Sequence, residues 1–204
     1  MGGQDMVYVV DDDASVRKSM AWMFRMAGLL CETFESGDEF LRQADATRPT
    51  CLVLDMHLPG MGGVEVLRQL QGRPDLAMPV IIVTGKGDVP TAMQCLKMGV
   101  HDFLEKPVDH DVMLAKIREC HAADAARRAD DAEHADARSR LRQLTERERD
   151  VMQLICTGHS TKQIAARLGI SDKTVSVHRW HLMKKLQAGS ATEVVHIAHR
   201  AHAA

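Results

Sequence analysis

Three consecutive aspartates follow the first apolar run of the chain, and they are its first sign of a chemical site. The run V-Y-V-V at 7–10 leads directly into Asp11, Asp12 and Asp13. Clustered carboxylates repel one another, and removing them from water is costly unless a cation compensates. The pattern therefore predicts a metal ion, a lysine or both beside these aspartates.

Later apolar runs also end in side chains that can do chemistry. Asp55 follows C-L-V-L, Thr84 follows V-I-I-V, and Lys106 lies just beyond D-F-L. If these runs are parallel strands, their carboxyl ends meet at the sheet edge where ligands bind. Carboxylates, a hydroxyl and a lysine at one edge suit Mg²⁺ beside a phosphoryl group. A dinucleotide site would instead need G-x-G-x-x-G after the first strand, where D-D-D-A-S-V stands.

Strands and helices that alternate along the chain must position these residues. Unbroken apolar runs with turn signals around them predict strands covered on both faces, at 7–10, 51–54, 80–83 and, more weakly, 102–104. Helical spacing of apolar residues predicts helices between and after them, at 15–27, 62–71, 90–98 and 109–121. Asp13 or Ser15 is the expected N-cap of the first helix. This alternation predicts an α/β doubly wound, flavodoxin-like domain.

Charge is distributed unevenly along the 204 residues. Residues 1–122 hold 18 acidic and 12 basic side chains, whereas residues 141–204 hold 5 and 10. The basic part is a candidate for nucleic-acid binding. No apolar run approaches the ~18 residues of a membrane span, and no signal segment begins the chain, so we expect a cytoplasmic protein without a membrane partner. The five scattered cysteines are expected to be reduced and mostly buried.

Capping signals divide the basic part into four helices. Capping residues mark the expected starts at Thr145, Ser160, Ser171 and Ser190, and glycines mark expected stops at Gly158, Gly169 and Gly189. The predicted helices lie near 146–157, 161–168, 172–187 and 191–202. The middle two form a helix-turn-helix, so this is an all-α four-helix helix-turn-helix domain. The alanine-rich segment 122–140 before it predicts a helical spacer.

A helical wheel of 172–187 separates a core face from a face that suits the major groove of DNA. The predicted core face contains Val175, His178, Leu182 and Leu186. The opposite face carries Lys173, Val177, Trp180 and Lys184, with Ser176 on its flank. Lysines, an apolar patch and a hydroxyl on one face are typical of a helix that reads base edges.

The motifs of both parts resemble those of one protein family. V-V-D-D-D, V-L-D-M-H-L-P-G-M-G-G, V-T-G-K-G-D and F-L-E-K-P, in this order, resemble a response-regulator receiver domain. L-T-E-R-E-R-D-V, I-A-A-R-L-G-I-S and T-V-S-V-H resemble a LuxR-type DNA-binding domain. The combination is similar to the NarL/FixJ family, and nearer to its FixJ members. The resemblance implies a receiver at 1–121, a helical linker at 122–140 and a LuxR-type domain at 141–204, in a protein that is not an enzyme.

The resemblance also implies roles for individual receiver residues. Asp55 accepts a phosphoryl group from a sensor histidine kinase. Mg²⁺ is held by Asp12 and Asp55 directly, by the backbone carbonyl of His57, and by Asp11 through water. Phosphoryl contact and switching are the implied roles of Lys106, Thr84 and Phe103, and the Lys106–Pro107 bond is expected to be cis.

Activation is expected to produce a homodimer, through the helix near 90–98 and the strand near 101–104, that binds double-stranded promoter DNA. RNA polymerase is a further expected partner. Candidate DNA contacts are Thr161, Lys162, Lys173, Thr174, Ser176, Val177, Arg179, Trp180 and Lys184. Because the family often carries a charged residue at position 176, Ser176 leaves the base contact there open.

Two other interpretations of the receiver motifs remain open. Haloacid-dehalogenase-type phosphatases also place D-x-D-x-S after a first strand, followed later by a threonine and a lysine. Against that class, no later strand ends in paired aspartates, and Asp55 would have no role. Alternatively, a receiver-like domain could be locked by dimerisation and insensitive to phosphate.

The C-terminal histidines pose a separate alternative. His196, His199 and His202 have a spacing that would let two of them share a helix face and bind zinc. No carboxylate or thiol partner accompanies them in the sequence. A solvated or dimer-facing helix is therefore favoured over a metal site.

Overall fold

The computed structural model describes residues 5–47, 50–85 and 89–202, with the side chains of 89–91 and 202 left out. The chain divides into two compact units, Met1–Arg127 and Arg128–Ala204. Each unit has its own apolar core, and each is described separately below.

The first unit is built on a five-stranded parallel sheet in the order β2-β1-β3-β4-β5. The strands are β1 (Met6–Val10), β2 (Leu30–Phe34), β3 (Thr50–Asp55), β4 (Val80–Thr84) and β5 (Asp102–Glu105). The helices are α1 (Ala14–Met26), α2 (Gly37–Gln43), α3 (Gly63–Gln71), α4 (Val89–Lys97) and α5 (His110–Arg142), with a 3₁₀ turn at Pro74–Leu76. The predicted doubly wound, flavodoxin-like fold is confirmed.

Successive side chains of the central strands point to opposite faces of the sheet, so each strand contributes to the core on both faces. In β1, Val7 and Val9 pack into one core with Phe24 of α1 and Ile117 of α5. The residues between them, such as Tyr8, pack into the other core, which includes side chains of α2 and α3. Burial on both faces explains why β1, β3 and β4 read as unbroken apolar runs.

The sequence pattern did not predict β2 or α2. The β2 sequence L-C-E-T-F pairs only with β1, at the edge of the sheet, and leaves Glu32 and Thr33 exposed. Its polarity therefore differs from that of the central strands. Helix α2 is only seven residues long, and its Ser36 N-cap accepts a hydrogen bond from the Glu39 amide. Short segments of this kind give weak periodic signals.

Helix α5 joins the predicted helix at 109–121 to the predicted helical spacer, and residues 122–140 are helical throughout. Within the first unit, the buried carboxylate of Asp124 accepts hydrogen bonds from the Thr50 amide at 3.2 Å and from Arg127 at 2.7 Å. Arg127 also donates to the Ala77 carbonyl at 2.9 Å. These contacts tie this turn of α5 to the start of β3 and to the segment before β4.

The second unit contains the end of α5 followed by α6 (Glu146–Cys156), α7 (Thr161–Leu168), α8 (Asp172–Leu186) and α9 (Ala191–His202). The capping boxes predicted at Thr145 and Ser160 are present. Val175, Leu182 and Leu186 of α8 are buried in the core of this unit. The four predicted helices are therefore confirmed to within a residue or so at each end.

The predicted stop at Gly189 is wrong. Helix α8 ends at Leu186, and its C-cap Gln187 adopts the left-handed conformation with a φ of 56°. Gly189 instead donates its amide hydrogen to the Glu193 carboxylate at 2.8 Å, at the start of α9. The Ser190 hydroxyl accepts a hydrogen bond from the Glu193 amide at 3.2 Å, which is one half of the capping box predicted at Ser190. In the other half, the Glu193 carboxylate binds the amide of Gly189 rather than that of Ser190.

All five cysteines are free, and Cys51, Cys95 and Cys120 are buried. Burial raises the pKa of the Cys31 thiol to about 11. Within the described part of the chain, none of the helices has the length and apolar character needed to cross a membrane.

Candidate functional site

Three carboxylates meet at the carboxyl edge of the sheet. Asp11 follows β1, Asp55 ends β3, and both are buried, whereas Asp12 is exposed. One oxygen from each lies within 4.8 Å of the others. The register explains this arrangement, because Val10 pairs with Leu54 and so brings the ends of β1 and β3 level. Among the described residues, this is the one group of three or more His, Cys, Asp or Glu side chains placed to hold a metal ion.

Lys106 lies between the two buried carboxylates. Its Nζ atom is 2.7 Å from Asp11 Oδ2 and 2.7 Å from Asp55 Oδ2. Burial lowers the pKa of Lys106, but its hydrogen bonds to Asp11 and Asp55 outweigh that effect and raise the pKa above its usual value. One ammonium does not balance three carboxylates, and an all-oxygen cluster with excess negative charge fits a hard divalent cation such as Mg²⁺.

Arg17 binds the backbone of the acidic loop, a contact that the sequence pattern did not predict. Its Nη1 atom donates to the carbonyl oxygens of Asp11 at 2.7 Å and Asp12 at 2.9 Å. Asp13 caps α1 by accepting from the Ser15 amide at 2.7 Å, as one of the two expected caps. Hydrogen bonds from Ser15 lower the pKa of Asp13. The sequence did hold a signal for this contact. The first turn of α1 lacks acidic residues, and an arginine follows in the second turn.

Gly63 brings the amino end of α3 against the end of β3. A Cβ atom at Gly63 would lie 2.8 Å from the Asp55 carbonyl oxygen and 3.0 Å from Met56 Cα, which is closer than side chains tolerate. The Gly63 amide donates to the Met56 carbonyl at 3.1 Å. The doubled glycine of P-G-M-G-G was the signal for this close approach.

The His57 side chain contacts Thr84, a contact that the sequence did not suggest. Thr84 Oγ1 lies 3.1 Å from His57 Nδ1, and Thr84 is fully buried at the end of β4. The His57 amide donates to Asp55 Oδ1 at 3.1 Å. Phe103 is partly buried and packs against the core on the side of α4. The Lys106–Pro107 bond is cis, as expected, whereas the K-G-D segment at 86–88 lies outside the described residues.

The exposed face of α8 contains the residues that the helical wheel placed opposite the core. Lys173, Val177, Trp180 and Lys184 are exposed, and Val177 and Trp180 are 47% and 59% accessible. His178, assigned to the core face, is partly buried.

The remaining candidate DNA contacts lie at the start of α7 and along α8. Lys162, Thr174 and Ser176 are exposed, whereas Thr161 and Arg179 are partly buried. The Ser176 hydroxyl donates to the Asp172 carbonyl at 2.9 Å. The Thr174 hydroxyl pairs with that of Ser171 at 2.8 Å. Two of the candidate hydroxyls therefore already have partners within their own helix turn.

The zinc alternative gains no support from the C-terminal helix. His196 and His199 are exposed on α9, and the His202 side chain lies outside the described residues. The candidate metal-holding group in the described part of the chain consists of aspartates alone.

The sheet order, the carboxylate cluster and the bridging lysine define a receiver domain, followed here by a helix-turn-helix unit. Residues 7–118 match the family model of the response regulator receiver domain. Residues 142–198 match the model of bacterial regulatory proteins of the luxR family. The chain belongs to the two-component response regulators, with a receiver domain and a LuxR-type DNA-binding domain, and to the NarL/FixJ group among them.

The relatives and solved structures below match almost the full length of this chain. The transcriptional regulatory protein FixJ of Rhizobium meliloti is 41% identical and covers 94% of both chains. Nodulation protein W of Bradyrhizobium diazoefficiens is 36% identical over 95% of this chain and 85% of its own. The structure of response regulator StyR has a TM-score of 0.87 at 37% identity, covering 97% of this chain and all of StyR. Full-length FixJ from B. japonicum covers 100% of both chains with a TM-score of 0.59 at 34% identity.

Proposed function

We propose that a sensor histidine kinase phosphorylates Asp55, and that the phosphorylated protein dimerises and binds promoter DNA to regulate transcription. The receiver occupies residues 1–121 and the DNA-binding domain residues 141–204 in this proposal, with 122–140 as the helical linker. The observation that carries it is the position of Lys106 Nζ, which is 2.7 Å from both Asp11 and Asp55.

Asp55 is suited to act as the nucleophile. Its carboxylate lies at a strand end beside a fixed ammonium, so charge that develops on an incoming phosphoryl group meets Lys106. Asp12, Asp55 and the His57 carbonyl would hold Mg²⁺, with Asp11 acting through water. When bound, the ion would neutralise charge on the phosphoryl oxygens.

The switch follows from the charge added at Asp55. The acyl phosphate carries roughly −1.5 to −2 units of charge in place of the single charge of the carboxylate, and it attracts a hydroxyl donor. Thr84 is that donor, and its contact with the His57 ring at 3.1 Å must give way when it turns toward Asp55. Phe103, which is only partly buried, then rotates into the space that Thr84 leaves.

Helix α4 offers a surface for the proposed homodimer. Met93 and Leu96 are 51% and 50% accessible, three residues apart on one helix. The predicted dimer surface, 90–98 with 101–104, includes both. Exposed apolar side chains so spaced are suited to pack against a second copy.

A phosphatase of the haloacid-dehalogenase type is disfavoured by the same geometry. In that interpretation Asp11 and Asp13 would form the reactive pair. Asp13, however, caps α1 through Ser15, and Asp11 is bound by Lys106. Asp55 would also lie buried in the cluster without a role.

Phosphoryl uptake by the full-length protein tests the proposal. With Mg²⁺ and phosphoramidate, a small phosphoryl donor, we expect stoichiometric acid-labile phosphate that is absent from Asp55→Asn. Asp13→Asn is the matched control, because asparagine also caps helices and Asp13 lies outside the three-carboxylate cluster. Uptake that survives in Asp55→Asn would contradict the assignment. Uptake without any change in oligomeric state would instead favour the phosphate-insensitive alternative.

A further inference from the structure

Trp180 and Lys184 form a pair on the outward face of α8. The Lys184 ammonium lies over the indole ring, 5.1 Å from the ring centroid. The two residues are four positions apart, so they are neighbours on the helix surface. The ring also meets His181 edge to face, with centroids 5.0 Å apart and an interplanar angle of 62°. Contacts from two sides therefore orient an indole that is 59% accessible.

This pair does not serve the core of its unit. Neither residue belongs to the apolar cluster that α6, α7, α8 and α9 share. The structural lysine of this helix is the next one, Lys185, whose Nζ is 2.7 Å from the buried carboxylate of Glu148. The Trp180–Lys184 contact thus lies where the DNA-binding proposal places the nucleic acid.

The ring changes where the ammonium is held. A lysine in the last turn of a helix ordinarily interacts with the final carbonyl groups. Here the ammonium instead lies over the ring of Trp180, which is one turn earlier in the helix. A cation on one face of a ring keeps its other N–H groups free for an anion. An ordered lysine also loses less side-chain entropy when it binds.

We propose that Trp180 is a positioning residue for DNA binding, which holds the Lys184 ammonium ready for a backbone phosphate. The inference rests on the proposed DNA-binding function and makes it more specific. The two residues act as one unit, in contrast to a division in which Trp180 contacts a base and Lys184 independently contacts a phosphate.

A double-substitution cycle on the full-length protein, activated with Mg²⁺ and the acyl-phosphate mimic beryllofluoride, tests this proposal. The probes are two short fluorescent DNA duplexes of unrelated sequence, titrated at two salt concentrations. Trp180→Leu removes the ring face and should weaken binding to both duplexes by about 3- to 10-fold. Lys184→Ala should lower the salt slope by roughly one ion for each phosphate that the lysine no longer neutralises. In the Lys184→Ala background, Trp180→Leu should weaken binding no further.

Two further variants separate positioning from other roles. Trp180→Phe keeps an aromatic face and should recover most of the affinity that Trp180→Leu removes. Trp22→Leu is the matched control, because Trp22 is a similarly exposed tryptophan, 62% accessible, in the other unit. It should leave DNA affinity unchanged.

Three results would overturn the proposal, and they are distinguishable. A Trp180→Leu effect that persists in full without Lys184 would mean that the indole touches DNA itself. An unchanged affinity in Trp180→Leu would mean that the Trp180–Lys184 pair has no role in binding. Absence of binding to either duplex by the unsubstituted protein treated with beryllofluoride would overturn the DNA-binding function and this inference with it.

Discussion

Lys184 and Lys185 are adjacent in the chain but serve different purposes. Lys184 is exposed over the ring of Trp180. Lys185 turns inward to Glu148, whose side chain is only 4% accessible. Glu148 also accepts a hydrogen bond from the Thr145 amide at 2.7 Å, so one carboxylate completes both a capping box and an ion pair. At the scale of single residues, the helix face that a lysine occupies decides its role.

Glu148 should make the stability of the second unit depend on pH. Burial raises the pKa of Glu148, but hydrogen bonds from Lys185 and Thr145 outweigh burial, and the pKa lies below its ordinary value of 4.5. A carboxyl with a lowered folded pKa stabilises the fold above pH 4.5, and this contribution is lost as the pH falls through the folded pKa. Glu148→Gln should therefore cost about 1–3 kcal/mol at neutral pH, and less on acidification.

Denaturant unfolding of the full chain measures this difference. A Trp22→Phe background leaves Trp180 as the tryptophan reporter of the second unit. Glu146→Gln is the matched control, an exposed carboxylate on the same helix, and should show no comparable deficit. A Glu148→Gln deficit that stays constant from neutral to acidic pH would contradict the role assigned to the charge.

At the scale of elements, helix ends and close contacts are set by the backbone. The C-cap of helix α8 is Gln187, the one non-glycine residue with positive φ in the described part of the chain. Helix α3 reaches β3 only because Gly63 has no side chain. Both positions are testable, because a neighbouring glycine in each case provides a control.

Gln187→Gly should stabilise the second unit by about 0.5–1 kcal/mol. Glycine adopts the left-handed conformation without the steric cost that a Cβ atom brings. Gly189→Ala should be nearly neutral, because an added Cβ would make only ordinary contacts with Glu193, at 3.6 Å or more. Thermal unfolding of the two variants checks both statements. If Gly189→Ala destabilises the second unit and changes at Gln187 do not, then Gly189 ends the helix, as the sequence predicted.

Gly63→Ala should disturb the proposed acceptor site as well as the fold. The added Cβ would press on the backbone of Asp55 and Met56 at 2.8 and 3.0 Å, so β3 or α3 must shift. We expect stability to fall by about 1–3 kcal/mol, together with slower phosphoryl uptake. Gly62→Ala is the control, since its nearest contact would be 3.9 Å away. Equal effects of the two substitutions on uptake would argue against the close approach as the cause.

At the scale of the whole molecule, the chain joins an acidic unit to a basic one. The receiver carries the carboxylate cluster, and the basic helices of the second unit carry the exposed lysines of α8. In the proposed function, phosphorylation of the first changes how the second binds DNA. The coupling is a property of the full chain and must be measured on it.

Beryllofluoride with Mg²⁺, which mimics an acyl phosphate, should increase DNA affinity and dimer content together. One or two charge-assisted hydrogen bonds to the modified Asp55 would shift the equilibrium by about tenfold to a hundredfold. Fluorescence anisotropy with a short duplex and sedimentation velocity measure the two responses. Asp55→Asn should respond in neither assay. Equal DNA affinity with and without beryllofluoride in the unsubstituted protein would show that modification of Asp55 does not raise DNA affinity.

The site residues were predictable because they follow the strongest local patterns in the chain. Asp11, Asp55, Thr84 and Lys106 stand at or just beyond the ends of strands β1, β3, β4 and β5. A parallel sheet brings such ends to one edge whatever its loops contain. The capping boxes at Thr145 and Ser160 were equally local, because each involves residues only three positions apart.

The tertiary structure decided the features that depend on residues far apart in the sequence. Arg17 binds backbone oxygens that periodicity cannot identify, and His57 meets Thr84 across 27 positions. Asp124 lies on a helix that the sequence predicted, but its burial depends on Thr50, 74 positions away. Sequence patterns report which face of an element is apolar. Which polar groups meet across elements depends on packing, and only the folded chain determines that.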